Sequence, residues 1–173
     1  MKAKKTPMTI LVLLIYLLVL TWLIVFKLAT APYELSPLRS INLIPFAENQ
    51  DWDGSFHFKE VLANGLVFIP LGVLLKRLSP KRNLLQVALY GLSLSFVFEA
   101  SQYLLAIGAS DVTDLLANTV GAIVGSLLFS GFSKLFKKSL GVVLDWLIVL
   151  GSVLLVLLVL WLKSRGIWIW HFV

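Results

Sequence analysis

The sequence predicts an all-α, polytopic membrane protein with five transmembrane helices, and three observations carry that expectation. Of 173 residues, 59% are hydrophobic and 14% charged, with a mean hydropathy of +0.93. A soluble domain is about half apolar and about 25% charged. The apolar residues are gathered into five runs, each close to the ~20 residues of helix that cross a hydrocarbon core. The lysines and arginines fall between these runs and favour alternate connections. A chain of this kind has lipid as the solvent for most of its side chains. The net charge of +6 therefore does not imply nucleic acid, which would require a basic stripe on a soluble surface. The absence of cysteine excludes disulfides, a thiolate metal centre and a thiol nucleophile.

The first run extends from about Met8 to Leu28. Ala29-Thr30-Ala31 after a basic start resembles a signal-peptidase site, but the apolar run exceeds the usual ~7–15 residues and Pro32 follows directly, so an uncleaved span is expected. The second run, Val61 to Leu78, contains Asn64 and Pro70; proline is tolerated in lipid where neighbours satisfy the carbonyl it frees. Runs three, four and five cover Leu84 to Ile107, Val112 to Phe132 and Val142 to Leu162. Short connections after runs two, three and four make sequential helices antiparallel neighbours. The loop from Ala29 to Glu60 is the exception, rich in prolines, acids and aromatics, and a loop of that length usually serves function. The tail from Lys163 to Val173, with Trp168, Trp170, His171 and Phe172, has the composition of an interfacial belt.

Ten of the fifteen cations lie on the side of the N-terminus, in Lys2 to Lys5, Lys76 to Arg82 and Lys134 to Lys138. The positive-inside rule then puts the N-terminus in the cytoplasm and the C-terminus outside.

Polar groups at membrane depth are functional candidates. Glu99 lies about eight residues before the outer end of the third run, so ~12 Å deep, with Gln102 at i+3 on the same face. The fourth run opens with Asp111, Asp114 and Asn118 at i, i+3 and i+7, again one face. Capping of free amides alone can explain Asp111, but Asn118 needs a partner on another helix. Gly121 and Gly125 form a GxxxG pair, expected as a packing seam. Glu60-Val-Leu-Ala-Asn64 recurs as Asp114-Leu-Leu-Ala-Asn118, which is consistent with a parallel repeat of helical hairpins, spans one and two matching spans three and four. Arg39, in the long loop, could close an outward pocket formed by Glu60, Asn64, Glu99, Gln102, Asp114 and Asn118. Such a pocket of mixed charge suits a polar headgroup, sugar, peptide or phosphate.

In order along the chain, Arg39 with Asn42-Leu43-Ile44-Pro45-Phe46, then Asn64, Phe68 and Pro70-Leu71-Gly72, then Glu99 with Gln102, then Asp111, Asp114, Asn118-Thr119, Gly121 and Gly125 resemble the VanZ-like family of small bacterial membrane proteins. The ordered set, covering about residues 39–125, carries the resemblance. It implies a VanZ-like membrane domain over 1–132, followed over 133–173 by an additional transmembrane helix and the aromatic tail. It also implies the binding set Arg39, Asn42, Glu60, Asn64, Glu99, Gln102, Asp111, Asp114 and Asn118, and a link to tolerance of teicoplanin-like glycopeptides. The family often carries arginine just before the aspartate pair; here Gly108-Ala109-Ser110 stands there, which weakens any mechanism needing a second fixed cation.

Three readings of function stay open. One is a binding protein that engages a membrane lipid headgroup, a lipid-linked cell-wall intermediate or a lipoglycopeptide and modulates glycopeptide susceptibility. Another is an enzyme on a polyprenyl or phospholipid headgroup, with Glu99 or Asp114 as base and Arg39 on phosphate. The third is a small proton- or cation-coupled transporter using Glu99, a role for which five spans make a narrow bundle without homo-oligomerisation. No cofactor, metal or nucleic acid is expected: His57 is an isolated loop histidine, and caps account for the carboxylates as well as a cation would.

The charge split makes a direct prediction. In intact cells, a cysteine replacing Ser55 should react with an impermeant thiol reagent from outside and one replacing Ser79 should not; outside labelling at 79 would reverse the topology.

Overall fold

The structure, a computed structural model, describes residues 7–35, 37, 39–46, 58–136 and 139–165. The basic N-terminal residues, His57 and the aromatic tail beyond Arg165 lie outside them. Among the described residues the regular structure is helical apart from two four-residue strands: α1 (Pro7–Ile24), β1 (Arg39–Asn42), α2 (Phe58–Leu78), α3 (Leu84–Leu105), β2 (Gly108–Asp111), α4 (Val112–Phe136) and α5 (Ser139–Ser164). All five helices are long and apolar enough to cross a membrane. Their outward faces carry exposed leucine, valine and phenylalanine, such as Leu18, Leu104 and Phe96, the side chains that lipid rather than water would solvate. The five runs read from sequence each became one helix, with ends displaced by at most four residues.

Local signals explain the boundaries. Asn83 and Gln86 form a reciprocal capping box at the start of α3, with Asn83 Oδ1 accepting from Gln86 N at 2.8 Å and Gln86 Oε1 from Asn83 N at 3.1 Å. The helix ends in a left-handed residue, Ala106, with φ of 55°, and the Ala106 and Ile107 amides close on Tyr103 O and Gln102 O in a Schellman turn. Pro70 stays inside α2. Close by, the Tyr16 hydroxyl of α1 donates to the Val67 carbonyl of α2, one residue beyond the Leu66 carbonyl that Pro70 leaves without its helical donor.

The tightest packing is between α2 and α4, which run parallel. A Cβ on Gly121 would overlap the carbonyl of Gly65, one on Gly125 would overlap that of Ile69, and one on Gly72 would overlap that of Ala122. The two backbones therefore touch, as small residues permit in a bilayer where packing rather than water exclusion drives association. Gly121 and Gly125 are the packing seam that their spacing suggested. Beneath the seam, Phe68, Leu71, Leu74, Val87, Phe98 and Ala122 form the buried core together with Val12, Tyr16 and Leu20 of α1, and Phe68 meets Phe98 edge-on at 6.3 Å.

The two helical hairpins are packed differently: α3 lies along α4, whereas α1 leans mainly on α5. Charged groups fasten α5 at both ends. Near its start, Asp145, 1% exposed, accepts from Arg77 of α2 at 2.7 Å and from Thr9 of α1 at 3.0 Å, while the Arg77 Nε donates to Thr9 Oγ1 at 3.0 Å. Near its end, Lys163 pairs with Glu34, which also accepts from Thr30 N at 2.8 Å. The Lys163 hydrogen bond holds the Glu34 carboxyl below its ordinary range. That contribution is complete above the ordinary carboxylate pKa and is lost as pH falls through the lowered folded value.

Removing one partner of a buried pair strands the other. Asp145→Ala should therefore lower resistance to thermal unfolding in detergent by about 3–5 kcal/mol, and the apolar pair Arg77→Met with Asp145→Leu should recover most of it. A double variant as unstable as the single one would mean that the charges themselves, not their mutual satisfaction, hold α5.

Candidate functional site

The site is framed by the one feature that the helical reading did not contain. β1 of the long loop pairs in parallel with β2 of the α3–α4 connection, Arg39 opposite Gly108 and Asn42 opposite Asp111. The pairing lays the loop across the start of α4. Asp111 ends β2 and caps α4, its Oδ1 accepting from Thr113 N at 2.7 Å, as the capping explanation expects. The buried Thr113 hydroxyl accepts from Phe46 N at 2.9 Å, and Asn42 Oδ1 accepts from Ile44 N at 3.1 Å. These three bonds turn the loop and fix it to the helix.

Glu99, 4% exposed, reaches this frame from α3. Its Oε2 accepts from the Asp111 amide at 3.1 Å, and its own carbonyl accepts from the Ser110 hydroxyl at 2.8 Å. One helix to the side, Asn64 of α2 donates to Asp114 of α4 at 2.6 Å. Deeper, Asn118 of α4 donates to Ser95 of α3 at 2.9 Å, one turn below Glu99 on the same face. The Asn118 Oδ1 and the Asn42 Nδ2 are buried without a partner. Glu60, in the first turn of α2, adds a further negative charge felt by Asp114.

The structure thus brings together Asn42, Asn64, Glu99, Asp111, Asp114 and Asn118, with Glu60 at the edge. Two residues of the expected set point elsewhere. Gln102 donates to the Ile24 carbonyl at 2.9 Å, tying α3 to the end of α1. Arg39 is exposed, donates to the Leu104 carbonyl at 3.3 Å and sits over the Tyr103 ring at 5.4 Å. Lys27 exerts a weak electrostatic attraction on both Glu99 and Asp114. It follows α1 in a left-handed conformation with φ of 45°, a placement that costs a non-glycine residue energy and has no signature in the sequence. Ser95 was legible in principle, because Ser95, Glu99 and Gln102 stand at i, i+4 and i+7. Ser110 and Thr113 depend on the strand pairing and carried no such signal.

Asn42, Glu99, Ser110 and Asp111 line a groove of about 300 Å³ whose remaining walls include Phe96 and Tyr103. The surface it exposes is almost wholly apolar, as is that of two other grooves, of about 370 Å³ against α1, α2 and α5 and about 400 Å³ along α2 and α4. Among the described residues, no group of three His, Cys, Asp or Glu side chains is placed to hold a metal ion.

Residues 13–137 match the family model described as VanZ/LLP1. The chain is 36% identical over 153 residues to Protein VanZ of Enterococcus faecium, an alignment covering 86% of this chain and 88% of that protein. No solved structure matches it. With the family model spanning most of the chain and a full-length relative at this identity, the chain belongs to the VanZ/LLP1 family.

Proposed function

We propose that the protein is a binding component of the bacterial cell envelope, with its N-terminus in the cytoplasm, its C-terminus outside, and α2 and α4 as the inward-running arms of a parallel repeat. In this orientation the groove lined by Asn42, Glu99 and Asp111 opens to the outer leaflet. It engages the headgroup of an envelope lipid, a lipid-linked intermediate or a lipoglycopeptide, and so alters susceptibility to teicoplanin-type glycopeptides, the property that the family resemblance implies.

One observation carries this reading: polar side chains from the loop, α3 and α4 are buried together at the end of an otherwise apolar bundle, in the wall of a groove that also presents aromatic surface. An apolar groove backed by buried polar groups matches an amphiphile whose chain lies along it and whose headgroup reaches the polar cluster at its end. Catalysis fits less well. Glu99 and Asp114 are each spent on a structural hydrogen bond, to the Asp111 amide and the Asn64 amide group, and Arg39 is turned away onto Tyr103. Transport also fits less well, because below Asn118 and Ser95 the centre is filled mainly by Phe68, Leu71, Leu74 and Val87, and the next buried polar side chain of α4, Ser126, lies about two turns further on.

The test is glycopeptide tolerance in a susceptible host that expresses the chain. Glu99→Ala and Asn118→Ala, each accumulating in the membrane at the wild-type level, should abolish the tolerance conferred by the parent, and the double variant should be no worse, since both remove parts of one unit. Partial losses that add would assign the two residues separate structural roles.

A further inference from the structure

Between the charged groups that fasten α5 at its two ends, the helix stands off from α1 and α2 around the groove of about 370 Å³. Asp145 takes both Thr9 of α1 and Arg77 of α2, so these three residues mark one level of the bundle. The groove starts beside that level at Leu144 and follows α5 past Gly151 to Leu155, a run of ~16 Å at the helical rise. Val73, Pro70 and Val67 of α2 form the facing wall. Such a length is about the depth of one leaflet in a hydrocarbon core ~30 Å thick. Leu147, which lines the groove, is 56% exposed, so the space is open to whatever surrounds the spans.

The lining decides what can fill it. Its two hydroxyls are already spent, Tyr16 on the Val67 carbonyl and Ser152 on the Ile148 carbonyl, so water would find no polar partners there. Spread over ~16 Å, the volume falls well short of the space that a helix ~10 Å across fills, which excludes a span of a second copy. A single alkyl chain meets both conditions. The charge around the groove then selects its headgroup. Lys76, Arg77, Lys81 and Arg82 lie at the end of the bundle where the groove starts, and Lys134, in the last turn of the parallel α4, joins them. Among the described residues the carboxylate at that end is Asp145, which is buried and held by Arg77, whereas Glu34, Glu60, Asp111 and Asp114 stand at the opposite end. Clustered lysine and arginine beside a hydrocarbon phase attract anionic lipid.

We infer that this groove is a lipid site separate from the one beside β1 and β2, and that its occupant is one acyl chain of an anionic phospholipid whose headgroup lies among the cations at the Arg77 end. The chain takes the room that Gly151 leaves, where a Cβ would have nothing within 4 Å, and it supplies the packing that α5 lacks between its two charged fastenings.

The probes are dioleoylphosphatidylglycerol, dioleoylphosphatidylcholine and glycerol 3-phosphate, each titrated onto the full chain purified in a steroid-tailed detergent, whose rigid tail does not enter the groove. Thermal stability and the lipid mass retained by the protein in native mass spectrometry are the readouts. The phosphatidylglycerol should protect saturably. The phosphatidylcholine, with the same chains, should need at least about fivefold more, the worth of one cation near an anionic lipid surface, and glycerol 3-phosphate, with no chain, should not protect. Gly151→Phe fills the groove and should abolish both the protection and the retained mass. Gly151→Leu serves as the second variant should the first not fold, with the same loss expected. Gly131→Phe, on α4 outside the groove and also in open space, should keep both. Equal protection by phosphatidylcholine or by glycerol 3-phosphate, undiminished phosphatidylglycerol protection in the Gly151 variants, its loss in Gly131→Phe, or no protection by phosphatidylglycerol would each overturn the assignment. Neither readout involves glycopeptide tolerance, so the lipid site stands or falls apart from the role proposed above.

Discussion

Contact between the backbones of α2 and α4 at Gly65, Gly72, Gly121 and Gly125 is the constraint on which the rest of the structure depends. In lipid, apolar helices gain little by hiding from a solvent as apolar as themselves, so close van der Waals approach and interhelical hydrogen bonds must hold them. The glycines supply the approach. The approach brings Asn64 within 2.6 Å of Asp114, and it sets α4 where α3 can offer Ser95 to Asn118 and Glu99 to the Asp111 amide. With side chains at these glycines the helices would separate, and each polar group would have to find a partner elsewhere or remain unsatisfied in hydrocarbon.

The polar cluster and the strand pair support one another. The Glu99 carboxylate receives the last amide of β2, Asp111 caps α4 from the end of the same strand, and Asn42 sits opposite Asp111 in the pairing. The long loop is thereby attached to the helices through polar residues that stand beside the groove. Much of the motif that carries the family resemblance is structural in this sense: Phe68 is core, Gly72, Gly121 and Gly125 are seam, and Asp111 is a cap.

Hydropathy made the five helices legible, because a span must be continuous and apolar for about 20 residues, and helical periodicity placed Glu99, Asp114 and Asn118 on inward faces. The strand pair was not legible. Its strands, Arg39-Ser-Ile-Asn42 and Gly108-Ala-Ser-Asp111, are four residues each, too short for alternation to register, and their partnership spans 65 intervening residues of sequence folded into two helices. Arg39 is displaced for the same reason: the register opposite Gly108 puts its side chain on Tyr103 at the rim. The left-handed turn at Lys27, after α1, is likewise not announced by composition. The buried pair of Arg77 and Asp145 also escaped notice as a pair, since charge counting assigns Arg77 to a solvent-facing connection and Asp145 to a span, and only packing joins them.

The central claim is that the glycine seam, rather than the polar bonds across it, assembles the site. Leu62 and Leu116 face the same groove on α2 and α4, so spin labels at these two positions report the separation of the helices directly. The account predicts strong dipolar broadening between them in the otherwise native chain and in Asn64→Ala, and its loss in Gly121→Leu while helix content is preserved. Broadening that survives Gly121→Leu but disappears in Asn64→Ala would show that the hydrogen bond holds the helices and that the seam follows from it.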